Sequence, residues 1–258
     1  MVQKVGRLVI QCFDSVPYVL GYVGKTFRAS FDFLSTKSSR KILIMQLLFT
    51  FIEALPLIAV ISTAIGTAIY IMGDKFLSSI GQNDLIYRLL IIVISLELGP
   101  LLVAFIVIAR SATAIATEIG GMVTSHQIES YISCGVDPIS HLVSPRFFGV
   151  TLSVFFLNLY FSFCGLLGPV VIQFIINPVT VGAFLNGVLT SLSVRIIFTS
   201  ILKSVLFGMI ISITATYYGF AVERSSTEIP VAGISAVGKS VLGIILVDVL
   251  VIVLFYVF

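Results

Sequence analysis

The sequence predicts an all-α membrane protein of about five transmembrane helices, with an amphipathic interfacial helix at its N-terminus and a further short helix at the cytoplasmic face. Two observations carry this. Hydrophobic residues make up 58% of the 258 and charged residues only 10%, against about 25% charged in a soluble domain. Five apolar runs, at about 42–72, 88–110, 146–176, 195–221 and 240–258, reach the roughly 20 residues a helix needs to cross hydrocarbon. The longest remaining piece is the first 41 residues, so the chain divides into an N-terminal segment, 1–41, and a membrane domain, 42–258. Nothing is left to build a soluble catalytic domain.

In the first segment Val5, Leu8, Val9, Cys12, Phe13 and Val16 share one helical face, with Lys4, Arg7, Gln11 and Asp14 on the other. Lys25, Arg28, Lys37, Arg40 and Lys41 follow, which suits a helix lying along an anionic leaflet. The basic start lacks the uninterrupted apolar core and small-residue cleavage site of a signal peptide, and no transit peptide is expected. The first span holds Glu53 and Pro56, and its length requires tilt, a kink at Pro56 or an emergent last turn. Asp74, Lys75, Gln82, Asn83 and Asp84 are expected to form a short polar loop.

The second span contains Glu97, Gly99 and Pro100, read as a helix break, and ends at Arg110. Residues 111–145 are too polar to span. Within them Thr124 and Gln127 match a capping box, predicting a helix over about 125–134, stopped by Gly135 and kept from resuming by Pro138. The third span follows Pro145 and ends at Asn177-Pro178. Residues 179–194 are apolar but short, as in a re-entrant or interfacial helix. The fourth span carries Arg195 and Lys203 and ends near Tyr217-Tyr218, an interfacial aromatic pair. A linker from Val222 to Lys239 leads to the last span, with Asp248 inside it.

Lysine and arginine counts set an orientation. Eleven lie in the N-terminal segment and in the stretches 110–146 and 222–239, and two, Lys75 and Arg88, on the opposite side. The positive-inside rule then puts the N-terminus in the cytoplasm and, after five spans, the C-terminus in the periplasm.

Glu53, Glu97, Lys203 and Asp248 are charged residues inside spans, where a charge costs at least ~2.5–3.5 kcal/mol, so they should pair or line a wet cavity. Glu97 stands out, because Pro100 lacks the donor for the carbonyl of Leu96 beside it. Arg110, about 20 Å farther along a helix, is out of its reach. Residues 233–240, GISAVGKS, match the P-loop pattern formally, but no strand or nucleotide-binding framework surrounds them; a glycine-rich turn with Lys239 reaching the interface is expected instead. Cys12, Cys134 and Cys164 have no metal-ligand or disulfide spacing.

The stretch from Glu97 to Arg146 resembles the MlaE-type permease family, the membrane subunits of ABC transporters that move phospholipid between the membranes of diderm bacteria and so maintain outer-membrane lipid asymmetry. The resemblance rests on ELGP at 97–100, the small residues after Arg110, EIG at 118–120, Met122, Gln127-Ile128, GVDP at 135–138, LV at 142–143 and SPR at 144–146. More weakly it includes Gln46, Gly66, Tyr218-Gly219, Ala236-Val237 and Asp248. It implies an inner-membrane homodimer, served by an ABC ATPase subunit that holds ATP and magnesium and by an MCE-domain lipid-binding protein; this chain itself would hold no cofactor and bind no nucleic acid. It further implies that the helix at 125–134, with Gln127, Ile128, Glu129, Tyr131, Gly135, Asp137 and Pro138, is the ATPase coupling helix. Glu97 would border the lipid cavity; with Gly99, Pro100, Lys203 and Glu53 it makes up the candidate lipid pathway, while Arg110 and Arg146 are assigned structural roles. The sequence departs from the family pattern at Phe51, His126 and Glu129, and Glu53 maps to no family role. The competing reading is an ion- or proton-coupled secondary carrier using Glu97, Lys203 and Asp248, against which the lack of an inverted repeat counts.

Overall fold

The structure is a computed structural model that describes residues 21–29, 40–79, 81–82, 85–176, 181–223 and 225–257. The amphipathic face expected over Val5–Val16 lies outside them. The described residues contain helices and turns and no strand. Residues 21–29 are helical (α1); then come α2 (Arg40–Thr50), α3 (Leu55–Ser79), α4 (Leu85–Ile91), α5 (Gly99–Val107), α6 (Thr113–Thr124), α7 (Gln127–Ser133), α8 (Ser144–Ile176), α9 (Val181–Ser191), α10 (Val194–Phe220) and α11 (Ile229–Val257). Joined end to end, these give five stretches long and apolar enough to cross a bilayer, at Ile42–Ser79, Leu85–Thr124, Ile139–Ile175, Val194–Phe220 and Ser226–Phe255. The protein is a multi-pass membrane protein.

All five are longer than hydrocarbon requires, and the excess corrects three expectations. The first span runs through Asp74 and Lys75 to Ser79, so the polar loop is shorter than expected; its helix is interrupted in the turn before Pro56, where a 3-10 turn at Ile52–Ala54 separates α2 from α3. The second span does not end at Arg110, because the small residues after it continue the helix to Thr124. The expected linker to Lys239 is mostly helix, since α11 begins at Ile229; GISAVGKS therefore lies inside a helix, whose amides are committed to its own ladder rather than free to hold phosphate.

The Gly99-Pro100 break is absent. The chain widens into a π-helical turn over Ile92–Leu98 and returns to α geometry at Gly99. Further π-helical turns occupy Ile108–Ala112 and Ile139–Val143, so the third span starts before Pro145 rather than after it.

Spans two and four are the most buried and spans one and five the least. The core runs along α4, α5, α8 and α10, with Leu90, Ile94, Val103, Phe161, Phe207 and Ile211 at 0% exposure. Spans one and three cross through glycines: a Cβ on Gly66 would lie 1.9 Å from the carbonyl oxygen of Gly165, so the backbones touch there, as small residues allow between membrane helices. Helix α9 is too short to span and packs by Phe184 against Tyr70 and Tyr87. At the other end, with α7, the described part of α1 docks by Phe27 on Phe147 and Tyr22 on Tyr217.

Candidate functional site

Three of the four charged residues expected inside the spans converge. Lys203 on α10 is wholly buried, and its Nζ lies 2.8 Å from Glu97 Oε2 of the second span and 2.8 Å from Asp248 Oδ1 of α11. The Glu97 contact is a directed hydrogen bond; Asp248 Oδ1 lacks hydrogen-bond alignment and holds Lys203 as an ion pair. The Glu97 side chain is 29% exposed and that of Asp248 11%, so the cluster is sealed toward Lys203 and open along Glu97. Two carboxylates face one ammonium. Without either one of these carboxylates, the ammonium would still have the other as its counter-charge.

The π-helical turn explains how Glu97 gets there. Gly99 N–H donates to Ile94 five residues back, and in that register the donor missing from Pro100 would have served Ser95, not Leu96 as a regular α-helix would have it. The Ser200 hydroxyl on α10 donates to the Ser95 carbonyl at 2.6 Å. Asn158 on α8, itself 0% exposed, donates from Nδ2 to Ser200 Oγ at 2.9 Å. Gly99 makes room: a Cβ there would sit 2.8 Å from Asn158 Oδ1. Spans two, three and four are thus tied beside Glu97 by polar groups satisfying a carbonyl that proline orphaned. The sequence reading missed Ser95, Asn158 and Ser200; a lone amide in the middle of the third apolar run was the signal.

Glu53 does not join the cluster. It pairs with Arg110, whose guanidinium also lies 5.7 Å from the Phe49 ring. Arg146 is 3% exposed, pairs with Glu118 at 2.8 Å and donates to the Leu142 carbonyl at 2.9 Å.

The second group of expected residues forms the hairpin between spans two and three. α7 buries no residue, and Gln127 and Glu129 are exposed while Ile128 and Tyr131 are half-buried. Ile132, not anticipated, stands 62% exposed. The capping box is absent: Thr124 belongs to the preceding helix and its hydroxyl donates back to Gly121. His126 takes the N-cap position in a left-handed conformation, φ 58°, and its Nδ1 lies 3.0 Å from Glu129 Oε2. The stop is as expected. Gly135 has φ +73°, and Val136 N–H donates to Tyr131 while Gly135 N–H donates to Ile132, a Schellman pattern. Asp137 serves the next helix instead of α7, accepting from the Ser140 amide at 3.1 Å and the Ser140 hydroxyl at 2.7 Å. Pro138, half-buried, then opens the π-helical turn that leads into the third span.

Comparison with known proteins gives this arrangement a setting. The family model described as Permease MlaE matches residues 43–254. A probable ABC transporter permease protein of Rickettsia prowazekii is 26% identical over 215 residues, 83% of each chain. The intermembrane phospholipid transport system permease protein MlaE of Haemophilus influenzae is 24% identical over 180 residues, 69% of each chain. The chloroplastic protein trigalactosyldiacylglycerol 1 of Arabidopsis thaliana is 27% identical over 187 residues, which are 72% of this chain and 53% of that protein, so the chain spans about half the length of that relative.

Proposed function

The chain belongs to the MlaE permease family, and from that premise we propose that it is the membrane subunit of an ABC-type transporter moving phospholipid between the inner and outer membranes of a diderm bacterium. A separate ATPase subunit drives it, an MCE-domain protein exchanges lipid with it, and two copies form the transport unit. The observation that carries this is α7. A helix with no fully buried residue, yet stopped by a fixed hydrogen-bonded turn at Gly135, is built to be held by another protein. Gln127, Ile128, Glu129 and Tyr131, with Ile132, form its docking face; Gly135, Asp137 and Pro138 fix its join to the third span.

Substrate passes along Glu97, with Gly99 and Pro100 shaping the turn that presents it and Lys203 and Asp248 behind it. A lipid phosphate would compete with Glu97 for Lys203, while Asp248 keeps the cation paired. Glu53, engaged with Arg110, leaves this pathway. Counting only the lysines and arginines outside the five spans leaves eight, seven in the N-terminal segment and Arg224, against none on the opposite side, and the positive-inside rule still places the N-terminus and α7 in the cytoplasm and α9 and the C-terminus in the periplasm.

The test is purification from the native membrane followed by reconstitution. An ATPase subunit and an MCE protein should accompany the chain, and labelled phospholipid should move only with ATP hydrolysis. Transport by the purified chain alone, driven by an ion or proton gradient, would overturn this reading in favour of a secondary carrier whose relay is the Glu97, Lys203 and Asp248 cluster.

A further inference from the structure

A second polar site lies away from the Lys203 cluster, at the α7 end of the bundle. A cavity of about 330 Å³ opens between α2, α6 and the start of α8, within the ~300–1,000 Å³ range of small-molecule sites. Ile42, Met45 and Phe49 give it an apolar wall, and Gln46, Glu118 and Arg146 a polar one. Met45 is 63% exposed and Phe49 40%, so the apolar wall faces outward.

Arg146 is the unusual member. Its side chain is 3% exposed, and its Nε is buried with no hydrogen-bond partner among the described residues. A buried guanidinium with an unused donor is costly and well shaped for phosphate oxygens. Its ion-pair partner differs: the Glu118 side chain is 53% exposed, free to leave Arg146 without unfolding anything around it. A buried cation and a half-exposed anion beside apolar side chains are complementary to a molecule with a phosphate, an amine and an acyl chain.

We infer that this cavity binds the zwitterionic headgroup of a phospholipid, a phosphodiester on Arg146 and a primary ammonium on Glu118, with the first part of an acyl chain along Met45 and Phe49. Binding exchanges the internal Arg146–Glu118 pair for two pairs with the ligand, which an anionic headgroup without an amine cannot do. The inference rests on the lipid-transport reading and adds to it a headgroup preference and a place, the leaflet at the α7 end, where lipid is held apart from Lys203.

A photoreactive side chain introduced at Met45, in the native complex in nanodiscs of equal phosphatidylethanolamine and phosphatidylglycerol, reads the site through the lipid it captures. The unaltered cavity should capture phosphatidylethanolamine in excess. Glu118→Gln should reduce that excess about tenfold, as the loss of one charge-assisted hydrogen bond would, while capture of phosphatidylglycerol persists through Arg146. An unchanged preference in Glu118→Gln, or equal capture of both lipids without it, overturns the inference. So does loss of lipid capture on adding inorganic phosphate, which would make the cavity a site for free phosphate. If no lipid is captured while ATP-driven transport proceeds, this site fails and the transport reading stands; lipid capture with no ATP-driven transport gives the reverse.

Discussion

Lys203 shows how the bundle tolerates a charge where each of its neighbouring helices is apolar. With one acid on either side, the two carboxylates are not equivalent in what their loss would do. Glu97→Gln leaves Lys203 its contact with Asp248, so the amount of folded protein should stay near normal while phospholipid transport falls. Lys203→Met removes the cation that lies between two acids; breaking a buried pair costs ~3–5 kcal/mol, toward the lower figure here because Glu97 is 29% exposed. Yield and thermal unfolding of the two variants, measured beside transport, separate the roles. Loss of folded protein in Glu97→Gln as severe as in Lys203→Met would make Glu97 a structural residue. The opposite charges were legible in the sequence, since acids and a lysine inside apolar runs must find each other. The geometry was not, because the π-helical turn that aims Glu97 has no distinct composition, and because the carbonyl beside it is served by hydroxyl and amide groups from other helices.

At the scale of elements, two glycines hold positions that resist a larger residue, for different reasons. Gly135 sits in the left-handed region that ends α7, where a side chain costs roughly 1–2 kcal/mol and a β-branched one more. Gly135→Val should therefore insert and accumulate, yet bind or stimulate the ATPase less; normal transport at normal abundance would remove α7 from the power-transfer role. Gly66 faces backbone at the crossing with Gly165. Gly66→Leu must push spans one and three apart, and the ~1–3 kcal/mol usual for overpacking is a lower bound where the obstacle is a carbonyl rather than a side chain. Its yield of folded protein should fall sharply, and a stable protein with ordinary melting would contradict the crossing. The stop at Gly135 could be read in advance because glycine followed by a nearby proline is a local signal. The start of α7 could not: Thr124 and Gln127 satisfy the capping pattern equally well when the threonine is still inside the preceding helix.

For the molecule as a whole, the proposed orientation makes the two ends of the bundle chemically distinguishable. On a cysteine-free background, a thiol at Ser130 on α7 should react with an impermeant reagent only from the cytoplasm, and one at Thr190 on α9, which is also exposed, only from the periplasm. The reverse pattern would place α7 where no ATPase can reach it. The five spans were legible from hydropathy because each contains more than enough apolar residues to cross. Their ends were legible only to within fourteen residues, since Asp74, Lys75 and the stretch after Arg110 are polar enough to suggest loops while remaining good helix.

Between α7 and the third span only Val136 and Asp137 lie outside helical or turn geometry, and both are tied, the first to Tyr131 behind it and the second to Ser140 ahead. The joint is short and hydrogen-bonded at both ends. If α7 is where an ATPase grips, a push on it would pass to the third span rather than into a long linker, and that span carries Gly165 against the first span and Asn158 against Ser200 of the fourth. Mechanically, α7 would then be a crank handle fixed to its shaft, and the shaft bears on the same serine that holds the proline-opened turn beside Glu97.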